Sequence, residues 1–387
     1  MGFEIAAPGR IVLGAGCLRE SGQAIAAHGT RALLVTGRDS SRAKPLVDVL
    51  RESKVTSVVF SVAGEPTIPL ARQGTALALE EKCDLVIGMG GGSAIDAAKA
   101  IAALVANGGD PLDYVEIVGR ALPLPRPSLP FVALPTTAGS GAEVTRNAVL
   151  ISPEHCLKVS LRSPHLFAKL VVVDPVLARD LPPMETASTG LDALTQLVES
   201  FTSTRANQFT EGLCREGITN VARSLGRAVA RGSTDLAARE EMAIASLFSG
   251  LALANSGLGA VHGLAAPLGG MYPVPHGIVC ARLLPIVMTA NIRALEQRPT
   301  DGGVARQRYA EVARLLTGNR HAEPCDGVSW VADLVADLQI PSLAAYGVTA
   351  GGLDTVVARA ENASSMKANP VRLSSGELRQ LVEQALR

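Results

Sequence analysis

Four residues in the second half of the chain carry side chains suited to a divalent cation: Asp192, Gln196, His262 and His276. One carboxylate, one amide and two imidazoles supply the oxygen and nitrogen donors that such a cation takes. Asp192 and Gln196 stand four apart in a helical pattern and so share one helix face. His262 reads as lying near the end of a later helix, and His276 as part of a loop, after Pro273 and Pro275, that runs into another. Core hydrogen bonding or capping is the other use for such residues, and spacing alone leaves both open.

The first half carries a different chemistry. Residues 84–89 form a short apolar run, the pattern of a strand buried on both faces. Gly90, Gly91 and Gly92 follow, and Ser93 opens a run with Ala and Leu at helical spacing, which predicts that Ser93 caps a helix and offers a hydroxyl. Strand, glycine loop and helix together bind anions: the bare backbone lets a phosphate approach, and free N–H groups at the helix start point at it. Gly88, Gly90 and Ser93 do not complete GxGxxG, so this is not the ordinary dinucleotide fingerprint. A second strand, Pro130–Pro135, ends in Thr136, Thr137, Ala138, Gly139 and Ser140, whose hydroxyls suit a diphosphate or a ribose. Lys158 could also reach a phosphate, although a lone lysine is commonly solvated.

At the tip of the predicted strand 32–36 stand Gly37 and Arg38, where dinucleotide sites commonly hold a carboxylate on the ribose 2′-hydroxyl. That predicts tolerance of, or preference for, NADP(H). The competing reading is that Asp39 or Ser40 only caps the next helix and Arg38 is solvated.

The elements that must position these residues alternate strand and helix through the first half, which predicts an α/β domain with a parallel sheet. Strands are expected at 10–13, 32–36, 55–61, 84–89, 130–135 and 170–174, and helices at 18–28, 43–53, 68–82 and from Ser93 on. Residues 107–130 read as a long surface connection. Leu181, Pro182 and Pro183 mark the expected boundary between an α/β dinucleotide-binding domain, 1–182, and an all-helical metal and substrate domain, 183–387. Helices are expected there at 185–202, 207–230, 236–259, 278–295, 303–317, 327–338, 350–362 and 374–386.

The 387 residues suffice for two cores, and a formal net charge of zero gives no footing for nucleic acid. No signal peptide is apparent at the start, and the six cysteines are scattered without a CxxC, so a reduced, cytoplasmic protein is expected. The charge-poor stretch 247–281 is broken by Asn, His, Gly and Pro, and reads as buried helices around a site, not as a membrane span.

Five blocks carry a resemblance: GMGGGSAIDAAKA (88–100), LPTTAGSGAEVT (134–145), VVVDPVLARDLP (171–182), GLDALTQLVES (190–200) and HGLAAPLGGMYPVPHG (262–277). In this order they resemble the iron-containing, or group III, alcohol dehydrogenases, whose dehydroquinate synthase-like fold joins an α/β dinucleotide-binding domain to an all-α domain with a cleft between. The resemblance implies a dimeric NAD(P)-dependent oxidoreductase that interconverts a small alcohol and its aldehyde or ketone. It places Gly37, Gly90, Gly91, Gly92, Ser93, Thr136, Thr137, Ser140, Asn147, Val149 and Lys158 at the cofactor. It places Asp192, Gln196, His262 and His276 on iron or zinc, with His262 and His276 the candidates for catalysis. Two departures stand out: Gln196 falls where the family usually has histidine, and Ala266 where it often has another. Gly37 falls where NAD-preferring members carry aspartate. The alternatives are a metal-independent reductase similar to the maleylacetate reductases, and a nucleotide-binding protein whose catalysis has decayed.

Overall fold

The run LVIGMG is buried at every position because it forms an interior strand of a parallel sheet. A computed structural model of the chain describes residues 2–298 and 303–387. Its contacts divide it into two units, Ala6–Asp180, and Leu181–Arg387 with the first residues of the chain.

The Ala6–Asp180 unit is α/β. Its strands are β1 (Ile11–Leu13), β2 (Arg31–Thr36), β3 (Thr56–Ser61), β4 (Leu85–Gly90), β5 (Phe131–Pro135), β6 (Asn147–Ser152), β7 (Leu157–Arg162) and β8 (Leu170–Val173). Six of them form a parallel sheet in the order β1-β8-β5-β4-β2-β3, and β6 and β7 pair as an antiparallel hairpin. The helices are α1 (Cys17–Glu20), α2 (Gly22–Ala26), α3 (Lys44–Glu52), α4 (Ile68–Glu80), α5 (Gly92–Asn107) and α6 (Pro111–Tyr114). Leu34, Leu85, Ile87, Val132, Leu134 and Val172 line one face of the sheet and pack on Ile25, Leu46 and Leu50. Each such side chain, fully buried, is worth about 1.5–3 kcal/mol.

Two expectations are corrected here. Residues 18–28 form two short helices; Ser21 separates them and turns its hydroxyl back onto the Cys17 carbonyl, 2.8 Å away. Residues 107–130 are not wholly a surface connection: Asp110 and Asp113 make a capping box for α6, and Val115 and Leu124 are buried.

The second unit is helical: α7 (Pro183–Thr202), α8 (Gln208–Arg231), α9 (Leu236–Ser256), α10 (Ala260–Met271), α11 (His276–Gln297), α12 (Val304–Thr317), α13 (Pro324–Asp337), α14 (Leu353–Glu361) and α15 (Ser375–Ala385). The single helix expected over 236–259 ends at Ser256, because Gly257 adopts φ +76°, which caps α9 and admits a bend of 101° into α10. Helix α11 is long and apolar enough to cross a membrane, and 61% of its most apolar window is buried among the other helices, as in a core helix.

Candidate functional site

In the α/β unit, the order of the strands fixes where a ligand can bind. From β2 the chain crosses to β3 on one side, and from β4 to β5 on the other. The crevice between the carboxyl ends of β2 and β4 is therefore a topological switch point. Gly37 follows β2 and Gly91 follows β4, and a Cβ built on Gly90 would lie 3.5 Å from the Gly37 amide nitrogen. A Cβ on Gly37 itself would meet nothing within 4 Å, so steric crowding is not what excludes a side chain there.

The loop after β5 lies against the loop after β4. The Thr136 amide donates to the Gly90 carbonyl at 2.9 Å. A Cβ on Gly91 would come 3.4 Å from Thr137 Cγ2, and one on Gly92 2.8 Å from Ser140 Oγ, closer than side chains tolerate. Helix α5 begins at Gly92 with Gly91 as its N-cap, and no side chain caps it. Ser93 therefore stands inside the first turn and is not the cap, because Gly91 already holds the extended backbone that a cap needs. The uncapped N–H groups of α5 are the donors an anion would use.

Asn147, Val149 and Lys158 belong to the β6–β7 hairpin, which α5 anchors through a buried network not anticipated from the sequence. Lys99 Nζ donates to Thr145 Oγ1 and to the Asn147 carbonyl, both at 2.8 Å, and lies 3.4 Å from Asp96. The Val149 amide donates to Asp96 Oδ2 at 3.2 Å. Asp96 and Lys99, three apart on α5, were the signal available. Burial raises the Asp96 carboxyl and lowers the Lys99 ammonium. Glu143, also buried here, is pushed up to about 7 by burial. Lys158 pairs with Glu65 at 3.0 Å. At the tip of β2, Asp39 accepts from the Ser41 amide and caps a short 3-10 turn, while Arg38 donates to the Ala63 carbonyl at 3.0 Å.

In the helical unit, three helices bring side chains to one point. Asp192 comes from the middle of α7, His262 from the first turn of α10 and His276 from the first residue of α11. His262 thus opens a helix rather than closing one, and His276 is helical; both corrections follow from the break at Gly257 and the start at Pro275. Asp192 Oδ1 lies 3.4 Å from His262 Nε2 and 3.8 Å from His276 Nε2. Cys280, one turn after His276, places its sulfur 3.8 Å from His262 Nε2 and 3.6 Å from His276 Nε2. Donor atoms of all four residues lie within 4.8 Å of one another. Gln196 is buried on α7, and its Oε1 lies 2.7 Å from the Ser249 hydroxyl.

Glu199 sets the chemistry of His262. Its carboxylate accepts from His262 Nδ1 at 2.7 Å and from the Val261 amide at 2.6 Å, at the start of α10. Gly259 makes this approach possible, since a Cβ there would meet Glu199 Oε1 at 2.8 Å. With Nδ1–H committed to Glu199, a neutral His262 turns the lone pair of Nε2 toward Asp192. Glu199 and Cys280 were absent from the sequence reading; the signals were a glutamate seven residues after Asp192 and a cysteine four after His276.

The arrangement fits a cation. Asp192 Oδ1 is buried and makes no hydrogen bond of ordinary geometry, with His262 Nε2 at 3.4 Å and His276 Nε2 at 3.8 Å as its neighbours. Burial works against the Asp192 charge, but His276, His262 and Cys280 outweigh it and hold the carboxyl below the usual range. Burial also opposes a charge on His262, and its neighbours reverse this and raise it. A positive charge belongs among these donors, whether a metal or a proton.

Comparison with known proteins bears on both halves. Residues 8–175 match the family described as iron-containing alcohol dehydrogenase, and residues 186–386 match the family's C-terminal domain. The chain is 34% identical to choline dehydrogenase of Bacillus subtilis (strain 168), over 90% of this chain and 85% of that one. It is 34% identical to alcohol dehydrogenase 4 of Schizosaccharomyces pombe, over 97% and 87%. A crystal structure of 1,3-propanediol oxidoreductase superposes with a TM-score of 0.91 at 32% identity, covering 100% of both chains.

Proposed function

We propose a division of labour within this chain, which belongs to the iron-containing alcohol dehydrogenase family and interconverts alcohols with aldehydes or ketones by hydride transfer to or from a nicotinamide cofactor. The Ala6–Asp180 unit holds the cofactor pyrophosphate at the start of α5. Gly90, Gly91 and Gly92 leave the room, Ser93, Thr136, Thr137 and Ser140 offer hydroxyls, and Asn147, Val149 and Lys158 flank the cofactor. The open space at Gly37 leaves the adenosine ribose without a carboxylate, which supports NADP(H) as the preferred form.

Asp192, His262 and His276 hold a divalent cation, with Gln196 beside them on α7. Bound there, the cation would polarise the substrate carbonyl as a Lewis acid. The protein's own part is preparation. Glu199 fixes the His262 tautomer, and burial keeps water from competing for Asp192 and His262. The observation that carries this reading is the convergence of Asp192 Oδ1 with the two Nε2 atoms at 3.4 and 3.8 Å. A cytoplasmic homodimer is the form that accompanies it.

The test is metal analysis of the purified protein together with alcohol oxidation under NAD+ and NADP+, before and after chelation. Loss of turnover on chelation and its return with added metal are expected. A second reading, a metal-independent reductase similar to the maleylacetate reductases, draws support from the raised His262, which as an imidazolium between Glu199 and Asp192 would supply the positive charge itself. Full activity after complete metal removal would establish that reading instead.

A further inference from the structure

This inference rests on the cation proposed at Asp192. The family's usual second ligand is absent, and Gln196 stands in its place. An amide oxygen is a neutral, weak donor, and here it is already in contact with the Ser249 hydroxyl. The remaining contender is a residue to which the resemblance assigns no role.

We infer that Cys280, as a thiolate, is a further protein ligand of this cation, and that the site is a carboxylate–imidazole–imidazole–thiolate set that favours zinc and other borderline-soft cations and would take the substrate oxygen as a fifth donor. Three observations converge. A tetrahedral zinc with ligands about 2.0–2.3 Å away has ligand–ligand edges of roughly 3.3–3.8 Å. Four edges between these donors measure 3.4, 3.6, 3.8 and 3.8 Å. The two remaining pairs lie within 4.8 Å, so the four donor atoms already stand close enough to share one cation.

The second observation is charge. A Cys280 thiolate gives the ligand set itself two negative charges against the dication's two, whereas with the Gln196 amide the second negative charge is that of Glu199, which stands behind His262. The third is the backbone. His276 and Cys280 are four apart on α11, so one helix face presents both, and Asp192 Oδ1 faces them without a hydrogen-bond partner. On binding, the thiol proton leaves to solvent, since a coordinating thiol is deprotonated outright. Thiolate selects against hard cations, which moves this chain toward zinc and away from the iron of its family's name.

The test uses full-length protein stripped of metal and titrated with cobalt(II), whose bonds to sulfur absorb intensely in the near ultraviolet. Wild type is expected to bind one equivalent and to show the sulfur-to-cobalt band. Cys280→Ser should lose the band and weaken zinc roughly tenfold or more. Gln196→Ala should keep the band and the stoichiometry. If Cys280→Ser does not fold, the wild-type spectrum decides alone. Cobalt bound without the band, and lost in Gln196→Ala, would overturn the thiolate and leave the metal reading standing. Failure of wild type to bind either cobalt or zinc would end both.

Discussion

The candidate groups of the Ala6–Asp180 unit are largely backbone amides and hydroxyls, carried on two loops that follow adjacent parallel strands. Those of the Leu181–Arg387 unit are side chains, brought from three helices to one point. The first arrangement needs space, and glycines at 91 and 92 provide it. The second needs charge balance, because Asp192, Glu199 and Cys280 are buried together around two imidazoles. Beside the loops, a buried ionic network at Lys99 and Asp96 anchors the β6–β7 hairpin. The cluster gains its rigidity from one carboxylate, Glu199, which also sets a proton. A loop site tolerates a polar substitution at its rim, whereas losing one partner from the cluster leaves uncompensated buried charge.

The largest expected effect separates the two regions. Asp192→Ala should lower kcat about 10³-fold, the order seen when a group that stabilises transition-state charge is removed. NADPH binding, followed by its fluorescence, should stay within roughly twofold of wild type, since every group proposed for the cofactor lies in the other unit. Loss of both together would break the comparison.

Next is the buried Glu143. Its carboxyl has a folded pKa of about 7 against an ordinary 4.5, so burial favours the protonated form. The native state then holds more protons than the unfolded chain between those values, and stability falls as pH rises through that window. The penalty is absent below the lower value and fully developed above the upper one. Urea unfolding should find Glu143→Gln gaining about 3 kcal/mol on wild type between pH 4.5 and pH 8. An unchanged difference would show that Glu143 ionises without cost.

Glu199→Gln should weaken metal about 10–100-fold, measured by competition with a chromophoric chelator. The amide still fills the space but no longer enforces the tautomer. The smallest expected change is at Gly37. Gly37→Asp should shift kcat/KM from NADPH toward NADH by about tenfold, or 1.4 kcal/mol, with the metal content unaltered. An unaltered coenzyme ratio would remove the role given to the open space at Gly37.

The α/β half was legible because its signals are contiguous. An apolar run, three glycines and an Ala-rich helix occupy neighbouring positions, and parallel pairing of β4 with β5 sets the second loop beside the first. The misreading of Ser93 turned on a shift at one helix end, where a glycine can cap as well as a serine. In the helical half, Asp192 and Gln196 could be read as one face, but the helix expected over 236–259 runs past the break at Gly257, and α10 beyond that break is not among the expected helices. Without that break, His262 could not be seen at the helix end that Glu199 reaches.

From its residues alone this chain declared an α/β half with two hydroxyl-and-glycine loops, a helical half, and a family. Such features depend on short-range periodicity and backbone preference, which neighbouring residues encode. Tertiary structure decided that Gly37 stands at the switch point beside Gly90, and that Glu199 and Cys280 join Asp192, His262 and His276. Those choices depend on how strands are ordered and how α7, α10 and α11 pack, and packing distances between separate elements are written in no local pattern.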